Sequence, residues 1–208
     1  MTAALELQGV ECQRGGRSLF RDLSLAVPRG CLLHVRGANG AGKTSLLRLI
    51  CGLLAPAAGD VRWGGRPVAA QRDAFHRELV YLGHAAALKD DLTPLENLRV
   101  ASTLGGHACS DAQALAALAE AGLKRRERVP ARILSAGQRR RVALARLVLA
   151  SDAPLWVLDE PFTALDRAAS DWLQRLIAGH VAAGGVVVLT SHQDVAFDAA
   201  LERRELAL

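Results

Sequence analysis

Residues 37–44 read Gly-Ala-Asn-Gly-Ala-Gly-Lys-Thr. Few structures suit three glycines crowded ahead of a lysine and a threonine. Glycines let the backbone bend close around an anion with several oxygens and turn its N–H groups inward, and a helix opening at the end of the loop adds the positive end of its dipole. Lys43 then neutralises the β- and γ-phosphates, and the Thr44 hydroxyl is offered to Mg2+. The flanks agree with this reading. Cys31 to Arg36 alternates apolar and mixed residues like a half-buried strand, and Leu46, Leu47, Ile50 and Leu53 recur at helical spacing, so strand, loop and helix follow in the order the chemistry requires. Gly37, Ala38, Asn39, Gly40, Ala41, Gly42, Lys43, Thr44 and Ser45 are the candidate nucleotide contacts.

Later segments point to the same chemistry. Leu79 to Leu82, Leu155 to Leu158 and Val186 to Leu189 are continuous apolar runs, as expected of strands in a parallel sheet covered on both faces. Each is followed by a polar group: His84, the pair Asp159-Glu160, and His192 behind Thr190-Ser191. Parallel sheets bind ligands at the carboxyl ends of their strands, so these residues and the glycine-rich loop are expected to converge on one crevice. Asp159 is placed to hold Mg2+, through water, because that ion prefers oxygen ligands and keeps several waters. Glu160 is placed to polarise the attacking water, and Lys43 and the loop amides to stabilise the transferring phosphoryl group. His192 is placed to hydrogen-bond the γ-phosphate. Together these residues read as an ATPase. Leu5 to Val10 and Ser24 to Val27 read as short N-terminal strands.

Between His84 and Ala150 the pattern turns helical. Thr93-Pro94-Leu95-Glu96 supplies an N-cap, a proline in the first turn and a glutamate at the third helical position, which opens a helix over Pro94 to Thr103. Asp111 to Ala121 is a second helix, stopped by Gly122. Ser135 to Ala150 is a third, with Val142, Ala145 and Leu149 as its apolar stripe and Arg139, Arg140 and Arg141 on its polar face. Ser135 and Gly137 open that helix and form a second anion site. The 208 residues are expected to form one folding unit, with a core over about 1–84 and 151–208 and a helical insert over about 85–150.

Composition narrows the partners. The net charge of +5 suits an anionic surface, but only 4% of the residues are aromatic, and Lys124-Arg125-Arg126-Glu127-Arg128 has no aromatics interleaved. That run reads as a solvated helix end, and no nucleic acid is expected. No apolar run approaches the ~20 residues needed to span a bilayer, and the N-terminus lacks the charged start and apolar stretch of a signal peptide. Cys12, Cys31, Cys51 and Cys109 match no metal or disulfide spacing and read as isolated, mostly buried thiols.

The complete set of segments resembles the nucleotide-binding subunit of ABC transporters over essentially the full length. Leu134-Ser135-Ala136-Gly137-Gln138 is similar to the family's signature, Asp159-Glu160 to its second nucleotide motif, Thr163-Ala164-Leu165-Asp166 to its D-loop and His192 to its switch histidine. The resemblance implies an α/β P-loop cassette with a mostly parallel central sheet, N-terminal antiparallel strands and a helical subdomain. It also implies ATP and Mg2+ as ligands, and Ser135, Gly137 and Gln138 completing the site of a second protomer, so that a homodimer works head to tail. Within the family, Tyr81 to His84, Leu92 to Leu98, Leu134 to Arg140 and Asp159 to Asp166 are most similar to the cassettes of cytochrome c biogenesis. That similarity implies integral membrane permease subunits as partners, haem and its carrier chaperone as indirect ones, and a peripheral place on the cytoplasmic face of the bacterial inner membrane. Two alternatives stand beside it: an ABC motor for another cargo, and a non-transport ABC ATPase, whose usual second cassette or coiled-coil insert is not found here. Two positions depart from the general ABC pattern. His84 stands where glutamine is usual, and Gln13-Arg14 where an aromatic meets adenine, leaving the Arg14 guanidinium plane to stack instead.

Overall fold

The computed structural model describes residues 3–106, 108–192, 195, 197 and 201–208. Two sheets share its interior. Strands β1 (Ala3–Arg14), β2 (Arg17–Pro28), β4 (Ala58–Trp63) and β5 (Arg66–Pro67) form an antiparallel sheet in the order β2-β1-β4-β5. Strands β3 (Cys31–Arg36), β6 (Leu79–Leu82), β7 (Leu155–Leu158), β8 (Val186–Thr190) and β9 (Arg203–Ala207) form a parallel sheet in the order β6-β7-β8-β3-β9. Because every pair in the second sheet is parallel, the segments that leave β3, β6, β7 and β8 all emerge at one edge.

The apolar runs are buried on both faces, as covered parallel strands require. On one face, Leu33, Val35, Val157 and Val188 meet Leu46, Leu47 and Ile50 of helix α1 (Lys43–Ile50) and the inner residues Leu5, Leu7 and Val10 of β1. On the other, Leu32, Trp156, Leu158 and Leu189 meet Leu173 and Ile177 of a long helix spanning Arg167–Ala182. A short helix, α2 (Arg72–Arg77), precedes β6. Between β6 and β7 the described chain is helical, with α3 (Pro94–Leu104), α4 (Asp111–Glu120), α5 (Ala136–Leu144) and α6 (Arg146–Leu149). The Arg167–Ala182 helix is α7.

The capping chemistry read from the sequence is present. Thr93 Oγ1 accepts from the Glu96 N–H while the Glu96 carboxylate accepts from the Thr93 N–H, a reciprocal capping box behind Pro94. Gly122 adopts the left-handed conformation just past α4, with φ 73°. Lys124 to Arg128 lie in turns beyond α4 and not at a helix end, all exposed but the half-buried Glu127, and Cys12, Cys31 and Cys51 are buried while Cys109 is half-buried.

Several expectations need correction. The helix after the glycine-rich loop ends at Ile50, not Leu53, because Gly52 turns left-handed at φ 67° and the Leu53 N–H bonds back to the Arg48 carbonyl. Leu53 is therefore 54% exposed. The helix expected over Ser135 to Ala150 is two helices. Hydrogen bonding tightens at Ala145, whose carbonyl accepts from Val148 three residues on, and α6 starts from there. Arg140 leaves the polar face and is buried, with 5% exposure. The N-terminal strands run beyond Leu5 to Val10 and Ser24 to Val27, since their solvent-facing ends pair across β1 and β2 without an apolar signal.

One buried group sets a pH dependence. The His180 ring stacks on Trp156, 3.8 Å between centroids at 7°, and on its flank the Gly185 backbone lies so close that an added Cβ would meet the ring at 2.2 Å. Burial pushes the His180 imidazole down to about 4. In the unfolded chain the ring titrates near ~6.5, so between those values the unfolded state binds more protons. The stability this residue contributes is present above the unfolded value and is lost as pH falls toward 4. Chemical denaturation at pH 7 and pH 5 is expected to show an acid-side loss on the order of 2 kcal/mol, reduced in His180→Phe, which keeps a stacking ring without a titrating proton.

Candidate functional site

The edge of the parallel sheet carries a cleft of about 580 Å³. Asn39, Gly40, Gly42, Lys43, Thr44 and Ser45 line it from the loop after β3, Asp159, Glu160 and Thr163 from the segment after β7, His192 from beyond β8 and His84 from beyond β6. Arg14 and Leu19, at the tips of β1 and β2, form its outer wall. The sequence-predicted residues of four strand ends thus meet in one place. Gly37, Ala38 and Ala41 support the loop without lining the cleft, and Ser135, Gly137 and Gln138 lie outside it.

The loop has the backbone geometry that suits an anion. Gly37, Gly40 and Gly42 have φ of 153°, 84° and 107°. At Gly42 a side chain would also press on Leu19 and Phe20 at 3.2 Å. The Lys43 Nζ donates to the Gly37 and Ala38 carbonyls at 2.8 and 3.2 Å, which holds the ammonium over the loop. Helix α1 has no side-chain cap and no acid in its first turn, whereas α3, α4, α5 and α7 are each capped by Thr93, Ser110, Ser135 or Asp166. Helix α1 opens at the cleft, where Lys43, Thr44 and Ser45 line it, and no capping side chain accepts from its first N–H groups, a condition under which a helix end can bind phosphate.

Across the cleft the polar groups interlock. Thr44 Oγ1 donates to Asp159 Oδ2 at 2.9 Å, and Thr190 Oγ1 donates to Asp159 Oδ1 at 2.8 Å while accepting from the Glu160 N–H at 2.9 Å. A hydroxyl beside a carboxylate is an oxygen-only donor set, which fits a hard dication such as Mg2+. Glu160 is 9% exposed and has left-handed backbone, φ 49°. Its Oε2 accepts from the His192 N–H at 3.1 Å. The His192 Nε2 lies 3.3 Å from Oε1 without the alignment of a hydrogen bond, so that buried oxygen keeps a lone pair for a water at the cleft floor. His84 projects an exposed side chain between this cleft and a second one beneath α5 and α6.

At α5 the expected anion site is partly used by the chain itself. Ser135 Oγ accepts from the Gln138 N–H at 3.2 Å, and Gln138 Oε1 accepts from the Ser135 N–H at 3.0 Å. The Gln138 side chain thus caps the helix, leaving the exposed Ser135 hydroxyl proton and the amides of Ala136 and Gly137 for an outside acceptor.

Two residues that hold the site escaped the sequence reading. Thr190 closes a buried apolar run, and that position at a strand end was its only signal. Arg140 precedes the buried Ala143 and Leu144 of α5 by three and four residues, so helical spacing places it on the inward face; the flanking arginines masked it.

Known proteins share this design. A family model described as ABC transporter matches residues 20–163. The cytochrome c biogenesis ATP-binding export protein CcmA of Aromatoleum aromaticum is 55% identical over 94% of this chain and 92% of its own, and that of Dechloromonas aromatica is 52% identical over 92% and 93%. A solved ATP-binding subunit of an ABC transporter, 28% identical, superposes with a TM-score of 0.79 over 91% of this chain and 79% of that one. The motif order, the cleft and these likenesses lead to one conclusion: the chain belongs to the ABC transporter family, as an ATP-hydrolysing α/β cassette in the group of the cytochrome c biogenesis ATP-binding export proteins.

Proposed function

We propose that this cassette is the motor of a membrane complex serving cytochrome c biogenesis, and that its ATP hydrolysis drives haem export or the release of a haem-carrying chaperone. The observation that carries the reading is identity above half to a relative named a cytochrome c biogenesis ATP-binding export protein, across nearly the whole of both chains. The cleft supports the ATPase step. Lys43, Thr44, the loop amides and Ser45 hold the triphosphate, and Thr44 and Asp159 hold Mg2+, the latter through water. That ion, when bound, supplies positive charge to the phosphate oxygens. Glu160 orients and polarises the attacking water, and His192 contacts the γ-phosphate. Arg14 offers its guanidinium plane to the base.

One loop and one signature segment per chain support a head-to-tail homodimer, in which Ser135, Gly137 and the α5 N-terminus, capped by Gln138, face the partner's γ-phosphate. Residues 85–150 then act as a helical subdomain on a core of 1–84 and 151–208. Among the described residues no helix is long and apolar enough to cross a membrane, so integral permease subunits are proposed to supply the path, with the cassette peripheral at the cytoplasmic face of the inner membrane.

Deletion in the native host is expected to abolish mature c-type cytochromes while b-type cytochromes persist, with rescue by the native chain but not by Lys43→Ala; haem staining and reduced-minus-oxidised spectra read both classes. Normal c-type maturation in the deletion strain, with no substitute motor present, would assign the motor to another cargo.

A further inference from the structure

Two residues with side chains in the segment after β7 hold left-handed backbone: Glu160 at φ 49° and Ala164 at φ 63°. Such conformations persist only where the surroundings over-determine them. Helix α5 meets the segment near both. At Gly137 an added Cβ would lie 2.5 Å from the Ala164 carbonyl oxygen, so the helix backbone rests directly on the loop there. One turn further on, the buried Arg140 guanidinium donates through Nη2 to the Asp159 and Glu160 carbonyls at 2.8 and 2.9 Å, through Nε to the Pro161 carbonyl at 3.3 Å, and through Nη1 to the Gly83 and His84 carbonyls at 2.9 and 3.3 Å. A guanidinium has five N–H groups, and five carbonyls receive them. Lysine offers three donors and glutamine two, so neither reproduces the set.

We infer that Arg140 is a positioning residue that ties helix α5, and with it the partner-facing signature, to the Glu160 and His84 backbones of the chain's own site. The inference rests on the dimeric ATPase reading above. The chain of contacts is short. Ser135 and Gly137 face the partner's nucleotide, Arg140 follows Gly137 by three residues on the same rigid helix, and its guanidinium grips both the segment that carries Glu160 and the one that carries His84. Glu160 is held from the far side by Thr190 at its amide and by His192 at its carboxylate. A displacement of α5 toward the partner's γ-phosphate therefore re-aims the Glu160 carboxylate, so each site is licensed by nucleotide in the other. The loop, Lys43 and Thr44 receive no hydrogen bond from Arg140, and nucleotide binding does not depend on it.

The test uses the full chain in its assembled complex. Arg140→Met, which removes every donor, is expected to lower kcat about 10²-fold, the loss typical of a reacting group displaced by about 1 Å, with ATP-analogue affinity within threefold of native and the Hill coefficient for ATP reduced toward one. In Arg140→Met/Glu160→Gln, turnover is expected to equal that of Glu160→Gln within twofold, because Arg140 acts through the carboxylate already removed. Should Arg140→Met lose nucleotide binding along with turnover, Arg140→Lys decides, and it is expected to keep binding while losing at least tenfold in kcat. Native kcat and cooperativity in Arg140→Met or Arg140→Lys, or losses that multiply fully in the double variant, would overturn the inference and leave the ATPase reading intact. That reading fails instead if Glu160→Gln itself turns over normally.

Discussion

Glu160→Gln is expected to lower ATP turnover by roughly 10²- to 10⁴-fold while ATP still binds, the range lost with a general acid–base group. The substitution is nearly isosteric. It keeps an oxygen to accept from the His192 N–H and leaves the Thr190 bond to the backbone amide untouched, so the left-handed turn and the cleft survive. What disappears is the negative charge proposed to polarise a water against the γ-phosphate. Because Lys43, Thr44 and Asp159 are unaltered, the triphosphate is held but not cleaved, and the variant is expected to accumulate a long-lived ATP-bound dimer. Single-turnover hydrolysis with radiolabelled ATP, alongside equilibrium binding of a fluorescent analogue, separates the two effects. Turnover within a few fold of native would take the general-base role away from Glu160.

Lys43→Ala is expected to fail earlier, at binding. The ammonium bridges the Gly37 and Ala38 carbonyls, so its removal takes two cross-links from the loop and, on the proposed role, a charge from the phosphates. Charge-assisted hydrogen bonds are worth about 1.5–3 kcal/mol each, which puts the loss of affinity at roughly 10²-fold or more. Isothermal titration with ATP and Mg2+ reads it directly, and affinity within threefold of native would place the phosphates elsewhere. The same variant tests the head-to-tail arrangement. A dimer that mixes a Lys43→Ala chain with a Ser135→Arg chain has one composite site with both halves native if the signature serves the partner, and none if it serves its own chain. Turnover of the mixed dimer above that of both parent homodimers is expected; turnover at the parental level would reverse the assignment.

The site was legible where function demands a residue type at a fixed place along the chain. The glycines, Lys43 and Thr44 are read together because a phosphate loop needs close backbone, a charge and a hydroxyl in sequence order, and Asp159, Glu160 and His192 because each follows a buried strand. The fold was legible where burial leaves a pattern. The three apolar runs and the capping signals at Thr93 and Gly122 are local facts, and the structure places them as expected. Strands β4, β5 and β9 were missed because β5 and β9 carry mostly exposed residues and β4 buries only Val61 and Trp63, too few to mark a strand without the neighbour each one pairs with.

By itself, the sequence determined where the residues of the proposed chemistry stand: a glycine-rich loop ahead of a helix, two consecutive acids behind a buried strand, and the helical run that separates them. Only the tertiary structure decided which groups hold that chemistry in place. The Arg140 side chain reads as one charge among three on a helix, and becomes a five-bonded anchor because β6 and β7 lie side by side and bring the carbonyls of residues 83, 84, 159, 160 and 161 around one point. Gln138 likewise reads as part of a ligand motif, yet its side chain closes the end of its own helix. The physical reason is common to both. A side chain's type fixes what it can bond, but which backbone groups lie within about 3 Å is set by segments far away in sequence, through pairing and burial that no local pattern records.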